Sequence, residues 1–324
     1  MQFFDQIGGL LQTAVELGLI SSITVLALFL SYSMLNICDL STDGCFTFGA
    51  AVGAVVAISG HPYLSILAAM GAGALSGLVT AILQTKMGIN SLLSGIIVNT
   101  GLFSIIMVVM GERPLLNMNF TDTVFTKMKE LLKDTFLGQY HKIIVALIAV
   151  ILVVVFLSVF LRTKLGLAIR ATGNNPDMVK SSSINPTFTT IVGLCISGSF
   201  TALSGCLLAQ YQKSVSSDLG SGRVTIALAS LLIGGIFLMK QSRITGRAIF
   251  SVVGALIFQM VYTVALRFNM PAYMLKLVSA VIVIIAISAP YLKKKFPEFK
   301  RSFLHGRYLS KLRTENDTGD KKDA

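Results

Sequence analysis

Long apolar runs alternate with short polar breaks along this chain. The runs occupy roughly 10–37, 45–59, 64–85, a stretch ending near Gly111, then 142–161, 187–209, 224–239, 248–266 and 272–291. Most reach the roughly 20 residues that a helix needs to cross a bilayer. They are apolar around their whole circumference rather than along one stripe, which places them in lipid or inside a bundle. The pattern predicts an all-α polytopic transmembrane bundle of about eight or nine segments within residues 1–292. A broken helix is expected at Asp39-Leu-Ser-Thr-Asp43-Gly44, where the first run stops and a second, short for a full crossing, begins.

Residues 112–141 follow a different rule. Val124, Phe125, Met128, Leu131, Leu132 and Phe136 recur mostly at three- and four-residue steps, with Lys127, Lys129, Glu130, Lys133 and Asp134 between them. That periodicity predicts an amphipathic helix lying on the membrane face or capping the bundle. The polar stretch 162–186 carries a compact helix start. Asn175 can accept from free backbone N–H groups, Pro176 suits the first helical position, and Asp177 and Lys180 complement the helix dipole. Two turns are too few to be stable alone. Either this is an ordinary basic loop or something docks against it.

Composition supports the membrane reading. The chain is 54% hydrophobic and only 13% charged, with mean hydropathy +0.76, whereas soluble domains carry about 25% charged residues. The net charge of +12 does not point to nucleic acid, because Lys and Arg gather in short loops and the tail 293–324. That is the cytoplasmic-loop pattern. It places the tail (its last residues disordered by composition), 162–180 and 240–247 inside, with Lys86 in agreement. Nine crossings then put the N-terminus and 112–141 outside. Asp5 and the lack of a basic leading region speak against a cleaved signal peptide.

Candidate chemistry is sparse. No phosphate-binding loop is present, since Val179 rather than Gly precedes Lys180. Cys38, Cys45, Cys195 and Cys206 lack paired metal-type spacing and read as small core residues; His61, His141 and His305 are scattered. No nucleophile–base pair suggests itself, so an enzyme is not expected, nor a cofactor in this chain. Asp39 and Asp43 stand out, because a carboxylate at mid-bilayer costs around 2.5–3.5 kcal/mol on insertion scales. They either cap helix starts or face a polar ligand at a broken helix. Gly193, Ser197, Thr201 and Ser204 share one helix face, and Gly73 and Gly77 bracket another small-residue stretch; both suit close packing or the lining of a path. Asn90, Ser94 and Asn99 invite the same two readings.

Four stretches resemble the membrane permeases of ABC importers of the branched-chain amino acid and ribose type, closest to the tryptophan/tyrosine branch. They are Asp39-Leu-Ser-Thr-Asp-Gly-Cys-Phe-Thr-Phe-Gly-Ala-Ala51, Ile89-Asn-Ser-Leu-Leu-Ser-Gly-Ile96, Leu165-Gly-Leu-Ala-Ile-Arg-Ala-Thr-Gly-Asn-Asn-Pro176 and Ala202-Leu-Ser-Gly-Cys-Leu-Leu-Ala-Gln-Tyr-Gln212. Cys38 stands where that branch has Pro. The resemblance spans roughly 10–289. It implies a half-transporter in the bacterial cell membrane, working with a second permease copy, two separate ATPase subunits that bind ATP, and an extracellular substrate-binding lipoprotein. It implies coupling through Gly173, Asn174, Asn175, Pro176 and Asp177. The pathway residues expected on this reading are Asp39, Asp43, Asn90, Asn99 and Gln210, with Tyr211 at an outer gate. Aromatic amino acids are the first substrate expectation; branched-chain amino acids, nucleosides or sugars are the alternatives within the family. A secondary transporter using Asp39 or Asp43 for ion coupling is the competing mechanism; it calls for two matched broken helices, of which the sequence shows one. A membrane scaffold without transport would not need the capped helix.

Overall fold

The computed structural model describes residues 2–133, 138, 140–238, 244–267, 277, 279–285 and 288. Most of the ninth expected segment and the tail lie outside them, as do Asp134 and Phe136. The described chain is an all-α bundle. Its elements are α1 (Gln2–Leu28, continuing as a π-helical turn, Phe29–Met34), α2 (Thr42–Ile58), α3 (Pro62–Thr85), α4 (Ser91–Val109), β1 (Leu115–Asn117), α5 (Val124–Leu131), α6 (His141–Phe160), α7 (Lys164–Asn174), α8 (Pro176–Ser181), α9 (Pro186–Gln212), β2 (Ser214–Ser216), α10 (Arg223–Leu238) and α11 (Ile244–Arg267). Among the described residues six helices are long and apolar enough to cross a membrane, and α2 and α10 are shorter apolar helices.

The bundle is built around α9, whose 27 residues extend about 40 Å at 1.5 Å per residue. Along one side α1 runs antiparallel to it, joined by Ser197 Oγ donating to the Ala27 carbonyl at 2.9 Å and Ser204 Oγ to the Ile20 carbonyl at 2.7 Å. Such bonds between membrane helices contribute about 0.6–2 kcal/mol each. On another side α3 approaches so closely that a Cβ on Gly73 would overlap the Gly198 carbonyl, and one on Gly198 would overlap that of Gly73. A Cβ on Gly77 would strike the Leu194 carbonyl. Both small-residue faces found in the sequence therefore pack helix on helix. Cys45 and Cys206 are buried among these helices and all four cysteines are free thiols.

The two ends of α9 define two ends of the molecule. At its start, the Thr172 and Thr189 hydroxyls are 2.8 Å apart, holding α7 there. At its finish, Gln210 Oε1 accepts from the Val124 N–H at 2.9 Å, holding α5 there. Residues 112–133 and 162–186 thus sit at opposite ends of the bundle. The amphipathic region is shorter than expected: α5 stops at Leu131, which is exposed, and Val124 and Phe125 supply its buried face. Before it lies a two-stranded antiparallel ribbon, Leu115–Asn117 against Ser214–Ser216, which three-residue strands far apart in sequence did not reveal. The stretch 162–186 is also more regular than a loop with one short helix, because α7 fills its first half, capped by Thr163 Oγ1 accepting from the Gly166 N–H.

The glycine contacts give a direct test. Gly73→Ala should lower thermal stability of the purified protein in detergent by about 1–3 kcal/mol or more, since the clash is with backbone that cannot rotate away. Gly71→Ala, whose added Cβ meets nothing within 4 Å, should be neutral or slightly stabilising.

Candidate functional site

Two helices begin in the interior of the bundle. Residues 35–41 run as irregular chain from the end that carries α7, where Leu35 fills the space over Gly193, and α2 starts only at Thr42. Its neighbour Cys45 reaches the carbonyl of Gly198, halfway along α9, at 3.3 Å. From the other end, chain leaves α9, forms β2 and turns back inward to start α10 at Arg223. From there α10 heads toward the α7 end, pairing Gly234 with Phe250 of α11, whose Thr245 accepts from Arg162 at 3.1 Å. The expected break near Asp39–Gly44 is present. The second, at 217–222, is a correction to the single break visible in the sequence, because its Ser and Gly residues look like any surface connection.

Non-helical backbone at membrane depth needs hydrogen-bond partners from within the protein, and the two acids supply them. Asp39 is 4% exposed; its Oδ1 accepts from the Ser41 N–H at 2.8 Å and from the Ser41 hydroxyl at 2.6 Å. Thr80 of α3 in turn donates to Ser41 Oγ at 3.2 Å. Asp43 reaches across to the start of α10, where its Oδ2 and Oδ1 accept from the N–H groups of Gly222 and Val224 at 2.9 and 2.7 Å. Thr47 adds an acceptor for the Gly220 N–H at 2.9 Å. Asp43 thus works as an N-cap in trans, with its charge at the positive end of the helix dipole.

The six pathway candidates do not form one cluster. Asp39, Asp43 and Asn99 all lie around the start of α2 but on different partners: Asp39 on Ser41, Asp43 on α10, and Asn99 directly against Gly44, with Gly95 of the same helix against Leu40 and Ser41. Asn90 is separate and exposed, capping α4 by accepting from the Leu92 N–H. Gln210 and Tyr211 lie at the ribbon end. Gln210 is 1% exposed and also donates to Ser65 Oγ at 2.7 Å. The Tyr211 hydroxyl donates to Glu16 Oε2 at 2.8 Å, Lys142 stands 4.6 Å from its ring centroid, and Phe125 meets it edge-on. Both tie helices together within the subunit. Glu16, buried in α1, could have been singled out as the one charge inside the first apolar run; Arg223 carried no comparable signal.

Four of the five coupling candidates, Asn174, Asn175, Pro176 and Asp177, form one exposed surface, and the fifth lies beneath it. Asn175 Oδ1 accepts from the N–H groups of Asp177 and Met178, both at 3.1 Å, and Pro176 opens α8. Lys180 pairs with Asp177 at 3.6 Å; both are exposed, so the pair contributes little. Asn174, Asn175, Pro176, Asp177 and Met178 are all exposed. Gly173 faces inward, where a Cβ would overlap the carbonyl of Met34 and the backbone of Leu35. The hairpin of α7 and α8 therefore rests directly on the chain that leads into the first break. Among the described residues no group of three or more His, Cys, Asp or Glu could hold a metal ion.

Helices long and apolar enough to cross a membrane, two shorter ones that begin in the interior of the bundle, and an exposed capped hairpin at one end make a multi-pass membrane subunit. The chain belongs to the branched-chain amino acid transport system / permease component family, whose model matches residues 10–287. It is a permease subunit of an ABC importer in the cell membrane; such subunits are not enzymes, and ATP is hydrolysed on a separate subunit. The family implies ATPase and substrate-binding-protein partners. Among curated relatives, the tyrosine transport system permease protein of Clostridioides difficile is 34% identical over 268 residues, 82% of this chain and 86% of that one. The ribose import permease protein RbsC of Escherichia coli is 24% identical over 77% of this chain and 75% of its own. The guanosine ABC transporter permease protein NupQ of Bacillus subtilis is 29% identical over 58% and 59%. No solved structure gives a significant match. Two broken helices would also suit a gradient-driven transporter, so it is the family, not the breaks, that decides between the mechanisms.

Asp43→Ala should unpin the start of α10, at the cost of about 0.5–2 kcal/mol for a lost cap. Hydrogen exchange should accelerate at the amides of Gly222 and Val224 while those inside α9 stay protected.

Proposed function

We propose that two copies of this subunit form the translocation pathway of an importer for aromatic amino acids, tyrosine or tryptophan first, and that α7 and α8 are the handle an ATPase subunit moves. The contact of Gly173 with Met34 and Leu35 carries this reading. It joins an exposed docking-sized element to the irregular segment 35–41 without an intervening linker, so a displacement of the hairpin acts on the break that holds Asp39. The basic residues of 162–180 support a cytoplasmic position for that end, where ATP is available, and the ribbon end then faces outward, toward a binding lipoprotein. ATP serves on the partner; this chain holds no cofactor. Asp39, Asp43 and Asn99 are the pathway residues we favour, because all three lie around the start of α2, at the first break. The substrate reading draws on the 34% identity to a tyrosine permease; branched-chain amino acids, nucleosides and sugars are the other substrates to be tried.

The test is uptake by the complete importer reconstituted in liposomes. Asn175→Ala removes a cap worth about 1 kcal/mol and Met178→Arg alters the exposed apolar side chain of α8; each should reduce ATP-driven uptake several-fold or more while the permease still assembles, with a melting temperature lowered by at most a few degrees. Undiminished uptake in both would refute the coupling assignment. In whole cells, collapsing the proton gradient while ATP is maintained should leave transport running; an immediate stop would favour ion coupling at Asp39 or Asp43.

A further inference from the structure

Between α1, α10 and α11 lies a partly open cavity of about 590 Å³, lined among others by Leu17, Ser21, Arg223, Thr225, Gln259 and Tyr262. Its size falls within the roughly 300–1,000 Å³ typical of small-ligand pockets. Arg223 sits at the first position of α10, in the interior of the bundle, with its guanidinium carbon 4.9 Å from the Phe46 ring centroid. Its Nε makes a long hydrogen bond, 3.5 Å, to the Leu219 carbonyl. Among the described residues no carboxylate lies within 4 Å of its guanidinium nitrogens. Asp43 is the nearby acid: its oxygens accept from the amides of Gly222 and Val224, and it and Tyr262 face the guanidinium electrostatically without an ion-pair contact to it. A cation at membrane depth is expensive and normally has an anionic partner.

We infer that Arg223 is a binding residue for the α-carboxylate of an amino acid held in this cavity during transport. A guanidinium matches a carboxylate fork to fork, and the cavity supplies what the rest of an amino acid needs. Gln259, Ser21 and Thr225 offer hydrogen-bonding groups, and Tyr262 and Leu17 offer apolar surface for a side chain. Asp43 holds the amides on either side of Arg223, so the acid that pins α10 also fixes the backbone that carries the cation. The inference rests on the amino-acid reading of the importer and makes it more specific: a carboxylate is required, whatever side chain the binding protein selects.

Two measurements on the wild type and three variants test it. In the reconstituted importer, Arg223→Gln should lower uptake of L-tyrosine roughly tenfold or more, the loss expected when a charged hydrogen bond is removed, with the complex still assembled. Arg223→Lys should retain more uptake than Arg223→Gln. The double variant Asp43→Asn, Arg223→Gln should remain impaired. Gln-variant uptake close to wild type would overturn the inference, and so would recovery in the double variant, which would make Arg223 a counter-charge for Asp43 only. For a Gln variant that fails to assemble, competition on the purified wild-type permease decides: bound L-tyrosine should be displaced by L-amino acids but not by tyramine, which lacks the carboxylate. Displacement by tyramine overturns it. If L-leucine binds and is carried while L-tyrosine is not, the aromatic reading fails and the carboxylate site stands; if neither amino acid binds or is carried, both fail.

Discussion

Backbone that leaves a helix inside a membrane must find its hydrogen-bond partners within the protein, and this constraint organises the whole subunit. Two stretches, 35–41 and 217–222, break the helical ladder in the interior. Their partners are side chains that would otherwise be costly to bury: the carboxylates of Asp39 and Asp43 and the hydroxyls of Thr42 and Thr47. Each expensive group offsets another. Asp43 is the clearest case, since one charged side chain both satisfies two amides and locks the start of α10 against the start of α2. The broken helices are therefore held as a unit, although they enter from opposite ends of the bundle.

Around that unit the close seams of α9 provide rigidity. Glycines at Gly73 and Gly198 let backbones touch, and Ser197 and Ser204 stitch α1 to the same helix. A displacement at one end of such a bundle is passed on rather than absorbed, because packed interiors have few soft degrees of freedom. The α7 hairpin stands on this frame at Gly173. At the other end Gln210, Tyr211 and Glu16 fasten α5, α3 and α1 to α9. Gln210 and Tyr211, expected in a pathway, thus serve as ties within one subunit, whereas Asp39 and Asp43 hold the broken backbone itself and Asn99 lies against Gly44.

Much of this was legible from residue order. Apolar length and charge placement determined a polytopic helical membrane protein, and Asn175-Pro176-Asp177 together with Lys180 determined the capped turn of α8, because capping and dipole effects act within a few neighbouring residues. The break at 39–44 was also visible, since polar residues interrupting an apolar run are a local signal. The second break, the ribbon of β1 and β2, the pairing of Asp43 with α10 and the place of Arg223 were decided only by the tertiary structure. Each joins segments about a hundred or more residues apart, and no periodicity within either segment encodes the other. Whether a polar residue caps, ties or faces a cavity depends on which backbone comes within about 3 Å of it, and that proximity exists only once the helices have packed.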